Sequence, residues 1–571
     1  MPELIHKTVG KLLEENAERY PKKDAVVYVD RNIRYSWRQL NEICDKAAKG
    51  FIAIGARSGD KIAVWGTSRP EWLVTQFAAA KIGCALVTVN PEWKAEELEY
   101  CLKQSDTKIL VMQKGFSKKS GEEIFNYDYA GILKSIAPEM ENCPFDSAQD
   151  ELRLEKLPEL KSVVLVSDEC HRGMISWNLL LEKGDAVAEE DYALQKQAVT
   201  PYFVLIIQYT SGTTGFPKGA MLTHYGVVNN ALACAENLEL CPEDRICGPV
   251  PYYHIFGSAT LNIGALVSGA ATIIPTKHFN ARKTLEAVEK EKCTAIYGVP
   301  TMFIAELAEP EFSRFDLRTL RTGIMAGAPC PIELMKDVVY KMGVAEMTIC
   351  YGLTEASPMT HQTKTTDSIE KRVNTVGRPV PHMEAKIVDP SDFKEMGTNE
   401  VGEIWIKGYN VMLGYYHRPE ETDAAIVCGG WLRTGDLGVR DEDGYYKIVG
   451  RLKEMFIVGG HNVYPAEVEQ ALRSIFKDEI EEAQVVGVPH RKLQEVAAAI
   501  VKLKPGKSLT AARIKEKCQT RLEWPKIPKH VKFVADFGEV MTVTGKIQKH
   551  KLREILIKEL GLEDLTKIKT A

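Results

Sequence analysis

Short apolar runs alternate with longer amphipathic stretches along much of this chain. Residues 204–207, 271–274, 295–299, 323–326 and 347–351 have strand length and strand composition, while 284–292 and 331–342 have a helical pattern between some of them. Residues 9–20 read as an amphipathic helix. Alternation of this kind predicts an α/β protein in layers. Asn90-Pro91-Glu92, ahead of the helical pattern at 95–102, reads as a helix start with Asn90 as cap and Pro91 in the first position. The stretch 137–161 breaks the pattern. It is polar, carries Pro138, Pro144 and Pro158 and an acidic run over 146–155, and predicts a surface insertion before a strand at 162–166.

A boundary is expected near Gly450. Asp441-Glu442-Asp443-Gly444 reads as a turn leading into a strand at 445–449. Beyond it come a strand at 454–458, a helix at 465–476, strands at 483–488 and 496–503, and a helix at 510–521. That is the size of a small domain. The pattern gives a large N-terminal domain over 1–450, with mixed β-sheets flanked by helices, and a small α/β C-terminal domain over 451–571.

Composition narrows the class. The chain has 571 residues, 45% hydrophobic and 26% charged, with a net charge of -5. This is a globular composition of more than one domain, without the basic excess of a nucleic-acid binder. Residues 257–276 carry no charge but hold glycines, Ser, Thr, Asn and Pro, so a buried helix followed by a strand accounts for them better than an integral membrane segment. The 13 cysteines include no C-x-x-C pair, and the N-terminal residues lack a secretory pattern. A cytoplasmic protein with reduced thiols is expected, and a homo-oligomer is left open.

The sharpest chemical signal is Tyr209-Thr210-Ser211-Gly212-Thr213-Thr214-Gly215-Phe216-Pro217-Lys218-Gly219, directly after the strand at 204–207. Glycines let backbone N–H groups approach an anion, hydroxyls donate to it, and lysine adds charge, which is what a polyphosphate needs. The ending Pro-Lys-Gly is not that of a P-loop NTPase. The same residues also serve a plain surface turn.

Here the sequence resembles the adenylate-forming superfamily of acyl-CoA synthetases, luciferases and peptide-synthetase adenylation domains. The likeness extends over the whole chain. It rests on that loop, on Pro251-Tyr252-Tyr253-His254-Ile255-Phe256-Gly257, on Tyr351-Gly352-Leu353-Thr354-Glu355, and on Gly402-Glu403-Ile404 with Gly414-Tyr415-Tyr416. It continues through Trp431-Leu432-Arg433-Thr434-Gly435-Asp436, Gly450-Arg451-Leu452-Lys453-Glu454, Gly459-Gly460-His461 and Thr542-Val543-Thr544-Gly545-Lys546-Ile547. The pattern after Gly545 is most similar to medium-chain acyl-CoA synthetases. Val540 and Met541 stand where many relatives have proline and a basic residue.

The resemblance implies a ligase that uses ATP, Mg²⁺ and coenzyme A on a carboxylic acid, releasing pyrophosphate and then AMP. It implies that Thr210, Ser211, Gly212, Thr213, Thr214, Gly215 and Lys218 hold the phosphates, that Glu355 holds Mg²⁺, and that Thr354 contacts the α-phosphate. Tyr351, Gly352, Gly327, Ala328 and Pro329 would line the nucleotide site, and Tyr253 and His254, with Gly327 and Gly352, the acyl pocket. Asp436 and Arg451 would hold the ribose. Lys546 would bridge the reacting carboxylate and phosphate, until rotation about a hinge near Lys453 replaces it with Gly459, Gly460 and His461, which admit the pantetheine arm. A short- to medium-chain fatty acid is the expected substrate. Aryl or cyclic acids are the alternative, and an inactive nucleotide-binding sensor is a reading from another class.

Overall fold

The structure is a computed structural model. It describes residues 3–120, 123–143, 152–167, 171–210, 217–541 and 547–567. By packing, the chain divides into two units, one of residues 1–384 with 406–432, the other of 385–405 with 433–571. This seam falls before the expected 450/451 boundary. The strand Trp431–Arg440 pairs antiparallel with Tyr446–Arg451, which groups most of 433–450 with the C-terminal residues.

The first unit holds two large mixed sheets. In the nine-stranded sheet, Asp24–Tyr28, Ala271–Ile274, Arg245–Cys247, Ala295–Gly298, Thr322–Ala326 and Glu346–Gly352 run parallel, with antiparallel strands at both edges. The seven-stranded sheet has Lys61–Trp65 at its centre and Val204–Thr210 near one edge, followed by the antiparallel Lys218–Thr223. The parallel strands are mostly apolar and buried, as expected of parallel strands covered on both faces. The predicted α/β class and the strands near 204, 271, 295, 323 and 347 are present.

Local chemistry fixes the helices. Val9–Arg19 starts where the Thr8 hydroxyl accepts the Lys11 N–H at 3.2 Å, and it buries Val9, Leu12 and Leu13. Trp37–Ala53 starts with a reciprocal capping box between Ser36 and Gln39. No helix among the described residues is long and apolar enough to cross a membrane. The uncharged stretch instead forms the helix Asn262–Ser268 and the strand Ala271–Ile274.

Two expectations are corrected. Asn90 does not cap the helix at 95. Its Oδ1 accepts the Glu92 N–H at 2.9 Å in a local turn, and the helix Ala95–Gln104 begins after Lys94, whose N–H donates to the Glu97 carboxylate at 3.1 Å. The stretch 137–161 is more than a surface insertion. Its Leu152, Leu154, Leu157 and Leu160 are buried with Ala137 and Met140 in the core beneath the seven-stranded sheet. The Leu152 N–H donates to the Lys161 carbonyl at 2.9 Å, closing this part of the stretch.

The second unit has its own core. The hairpin Ile480–His490 and Gln494–Leu503 pairs with Phe456–Val458 and, in parallel, with His530–Val534. The helices Pro465–Ile475 and Ala511–Gln519 bury Val468, Leu472 and Ile514 in one apolar cluster, and Lys549–Glu559 buries Leu552 and Leu556 in another.

Candidate active site

In the first unit the candidate residues gather along one sheet edge and one hairpin. The parallel strands Ala295–Gly298, Thr322–Ala326 and Glu346–Gly352 are adjacent, with Ala326 opposite Cys350. Their carboxyl ends therefore deliver Val299, Gly327 to Pro329, and Tyr351 with Gly352 side by side. In open α/β sheets this is the edge where ligands bind. Gly327, Ala328 and Pro329 are exposed there and Tyr351 is half-buried. Gly352 allows no side chain, because a Cβ there would lie 2.0 Å from the Pro358 carbonyl oxygen.

Tyr253 and His254 follow the neighbouring strand Arg245–Cys247. The Gln208 amide donates to the Tyr253 carbonyl at 2.8 Å, tying this segment to the strand Val204–Thr210 of the other sheet. The Tyr253 hydroxyl is buried and has no hydrogen-bond partner among the described residues. The half-buried His254 accepts the Phe256 N–H at Nδ1, 3.2 Å away, which leaves its proton on Nε2.

Thr210 and Lys218 face each other at the end of the antiparallel pair Val204–Thr210 and Lys218–Thr223. Ser211, Gly212, Thr213, Thr214 and Gly215, between them, lie outside the described residues, as does Lys546. The Lys218 ammonium sits 5.2 Å from the centroid of the Tyr415 ring. The Tyr415 hydroxyl donates to Glu355 Oε1 at 2.7 Å. Burial, with the Glu355 carboxylate beside it, raises the Tyr415 phenol well above its ordinary range and keeps it a donor. A cation, a phenol and a carboxylate thus stand in line beside the Thr210–Lys218 pair.

The backbone holds this line in place. Residues 411–416 run alongside Lys218–Thr223, with the Met221 N–H donating to the Gly414 carbonyl at 3.0 Å and Tyr416 N–H to Gly219 at 2.8 Å. The Met412 N–H donates to the Glu355 carbonyl at 2.8 Å. The buried Asn410 amide donates to the Ala356 and Met359 carbonyls at 2.8 and 2.9 Å, and Asn230 makes a two-way pair with Met359. The Thr354-Glu355 turn is therefore fixed from both sides. Tyr415, Asn410 and Asn230 were not assigned roles from sequence. Tyr415 lies in a recognised motif, and Asn410 was legible only as a polar residue amid apolar neighbours.

Glu355 suits a hard cation. It is half-buried, Oε1 accepts the Tyr415 hydrogen bond, and Oε2 accepts no hydrogen bond among the described residues. Mg²⁺ is typically held by one or two carboxylates, its other ligands being water and phosphate oxygen. Among the described residues no three or more His, Cys, Asp or Glu side chains cluster as a metal cage.

In the second unit, Asp436 and Arg451 are register partners, and Arg451 Nε lies 3.1 Å from Asp436 Oδ1. The strand residues just before Asp436 are braced by Glu403, a buried residue to which sequence gave no role. Its carboxylate accepts from Gly435 N–H at 3.0 Å, Trp405 Nε1 at 2.9 Å and Arg433 Nε at 3.1 Å. Lys453 is exposed in the turn after Arg451. Gly459 and Gly460, at φ 56° and 89°, make the two-residue turn of the hairpin that pairs Val458 with His461. Both left-handed conformations favour glycine, so the turn alone accounts for the pair.

Known proteins resemble this chain in sequence and fold. The sequence profile of AMP-binding enzymes matches residues 13–416 and that of the AMP-binding enzyme C-terminal domain matches 467–546. YngI of Bacillus subtilis, provisionally named an acyl-CoA synthetase, is 46% identical over 98% of this chain and 99% of its own. The medium-chain acyl-CoA ligase ACSF2, mitochondrial, of Bos taurus is 40% identical over 98% of this chain and 89% of its own. The crystal structure of the anthranilate CoA ligase AuaEII with anthranoyl-AMP superposes with a TM-score of 0.82 at 25% identity, covering 98% of this chain and 99% of that one. The chain belongs to the AMP-binding enzymes and, within them, to the adenylate-forming acyl-CoA synthetases.

Proposed function

We propose that the chain ligates a medium-chain fatty acid to coenzyme A in two half-reactions. The carboxylate attacks the α-phosphorus of ATP and pyrophosphate leaves. The CoA thiol then attacks the acyl-adenylate and AMP leaves. The observation that most supports this is the line of Lys218, Tyr415 and Glu355 beside the Thr210–Lys218 pair, since two anions meet in the first step and fixed charge must offset their repulsion.

Thr210 and Lys218, with Ser211, Gly212, Thr213, Thr214 and Gly215, are assigned to the β- and γ-phosphates, and Thr354 to the α-phosphate. Glu355 is assigned to Mg²⁺, which when bound neutralises phosphate charge. Tyr415 orients the Glu355 carboxylate. Gly327, Ala328, Pro329, Tyr351 and Gly352 leave a low rim for the nucleotide and acid, and Tyr253 and His254 border the acyl chain. Asp436 accepts from the ribose hydroxyls, a charge-assisted arrangement, with Arg451 at its side. Lys546 bridges the two reacting anions in the first step. In the second, a domain of residues 451–571 turns about Lys453 and presents Gly459, Gly460 and His461 to the thiol arm. The described cysteines are free thiols, which supports a reducing, cytoplasmic setting.

The bovine relative's medium-chain substrate favours a fatty acid, and the anthranilate ligase favours an aromatic acid as the second reading. CoA-dependent AMP formation from ATP decides between them, using acetate, butyrate, hexanoate, octanoate, palmitate, benzoate and cyclohexane carboxylate. A maximum at hexanoate or octanoate is expected. A maximum at benzoate would establish the aryl ligase. No AMP with any acid, despite ATP binding, would leave a nucleotide sensor.

A further inference from the structure

We propose that Trp524 is the surface on which the adenine ring of coenzyme A stacks, an assignment that rests on the CoA-dependent reading above. Trp524 belongs to the short turn Trp524–Lys526 and is 54% exposed, unusual for so large an apolar ring. It borders the Gly459-Gly460 turn. A Cβ at Gly459 would lie 3.0 Å from the indole Cη2, and 3.3 Å from Leu493, whose carbonyl accepts the Gly459 N–H at 2.9 Å. The His461 ring meets the indole edge-on, with centroids 5.5 Å apart at 84°. The side-chain-free turn is thus flanked by an open aromatic ledge.

Charge around the ledge suits phosphate. Arg491 and Lys492 are exposed at the tip of the Ile480–His490 and Gln494–Leu503 hairpin, and Lys529 Nζ lies 2.6 Å from His490 Nε2. Of the nearby carboxylates, Glu467 and Glu523 pair with Lys526 at 2.6 and 3.1 Å, and Glu495 with Arg553 at 3.1 Å. Cations therefore prevail. An indole face, a backbone floor and surrounding lysine and arginine match a ligand that joins a purine, phosphates and a thin flexible arm. Coenzyme A has all three, and every base offers a π-face to an aromatic ring.

The test compares Trp524→Ala and Trp524→Phe with the parent in full-length enzyme. Thioester formation is measured with CoA and with pantetheine, which has the thiol arm but no nucleotide, and acid-dependent ATP–pyrophosphate exchange monitors the first half-reaction. Trp524→Ala is expected to raise the KM for CoA about 10-fold, within the range of one base–aromatic stack. Trp524→Phe should recover most of that, and the KM for pantetheine and the exchange rate should not change. Equal losses with CoA and pantetheine, a raised KM for ATP, or an unchanged KM for CoA would each overturn the assignment. A parent enzyme that forms no thioester from any acid would instead overturn the reading on which the assignment rests.

Discussion

Replacing Tyr415 by phenylalanine removes one oxygen and little else. The ring that Lys218 faces at 5.2 Å remains, and so does the backbone bridge between residue 415 and Ala220. What disappears is the 2.7 Å hydrogen bond to Glu355 Oε1. A hydrogen bond to a charged group contributes about 1.5–3 kcal/mol. Glu355 is half-buried, so water replaces part of the loss, and the lower end applies. About 1.5 kcal/mol corresponds to roughly 10-fold in rate or affinity. The assay is acid-dependent ATP–pyrophosphate exchange across a Mg²⁺ series. Tyr415→Phe should lower kcat/KM for ATP about 10-fold, with part of the loss recovered at high Mg²⁺ and the thermal midpoint nearly unchanged. Exchange equal to the parent at every Mg²⁺ concentration would refute the positioning role.

Lys546→Ala should slow adenylation by about 10²–10³ in pyrophosphate exchange yet leave thioester formation from supplied acyl-adenylate largely intact. Glu403→Gln replaces a buried carboxylate that accepts from Trp405, Arg433 and Gly435, and should lower stability by about 2 kcal/mol in denaturant titration. His224 and His361 are both pushed down to about 3 by burial. The unfolded chain binds their protons near pH 6.5 and the folded chain does not, so stability is full above that pH and falls as pH drops toward 3, by up to about 1.4 kcal/mol per unit for each. His224→Gln, which can still accept the Val9 N–H that His224 accepts at 3.2 Å, should flatten the acid side of a stability–pH curve.

The strands were legible because buried parallel strands are rich in apolar residues, whereas the antiparallel strand Lys218–Thr223 beyond the glycine- and hydroxyl-rich segment was not foreseen. Residues that work through another residue's backbone were not either. Asn410 and Asn230 act on carbonyls of residues 356–359, more than fifty positions away in sequence, and nothing local marks them. Glu403 stood in a recognised motif, but its three donors come together only when separate strands pair. In 137–161 the prolines and acids outweighed the leucines at 152, 154, 157 and 160, whose spacing fits neither a strand nor a helix cleanly. Asn90 shows the limit of cap rules, since the same side chain serves a local turn equally well.

Glu355 is held twice by one short stretch of chain. Met412 takes its carbonyl and Tyr415 its carboxylate, while Gly414 and Tyr416 are laced to the strand that begins at Lys218. These contacts make residues 218–416 a single unit of inheritance. A hybrid enzyme joined between Ala356 and Val411 would marry a carboxylate from one parent to the clasp of another, and its charged line would depend on two lineages having kept the same register. Exchanges that respect the chemistry must keep residues 218–416 from one parent, and segments beyond that interval can then be traded without disturbing these contacts.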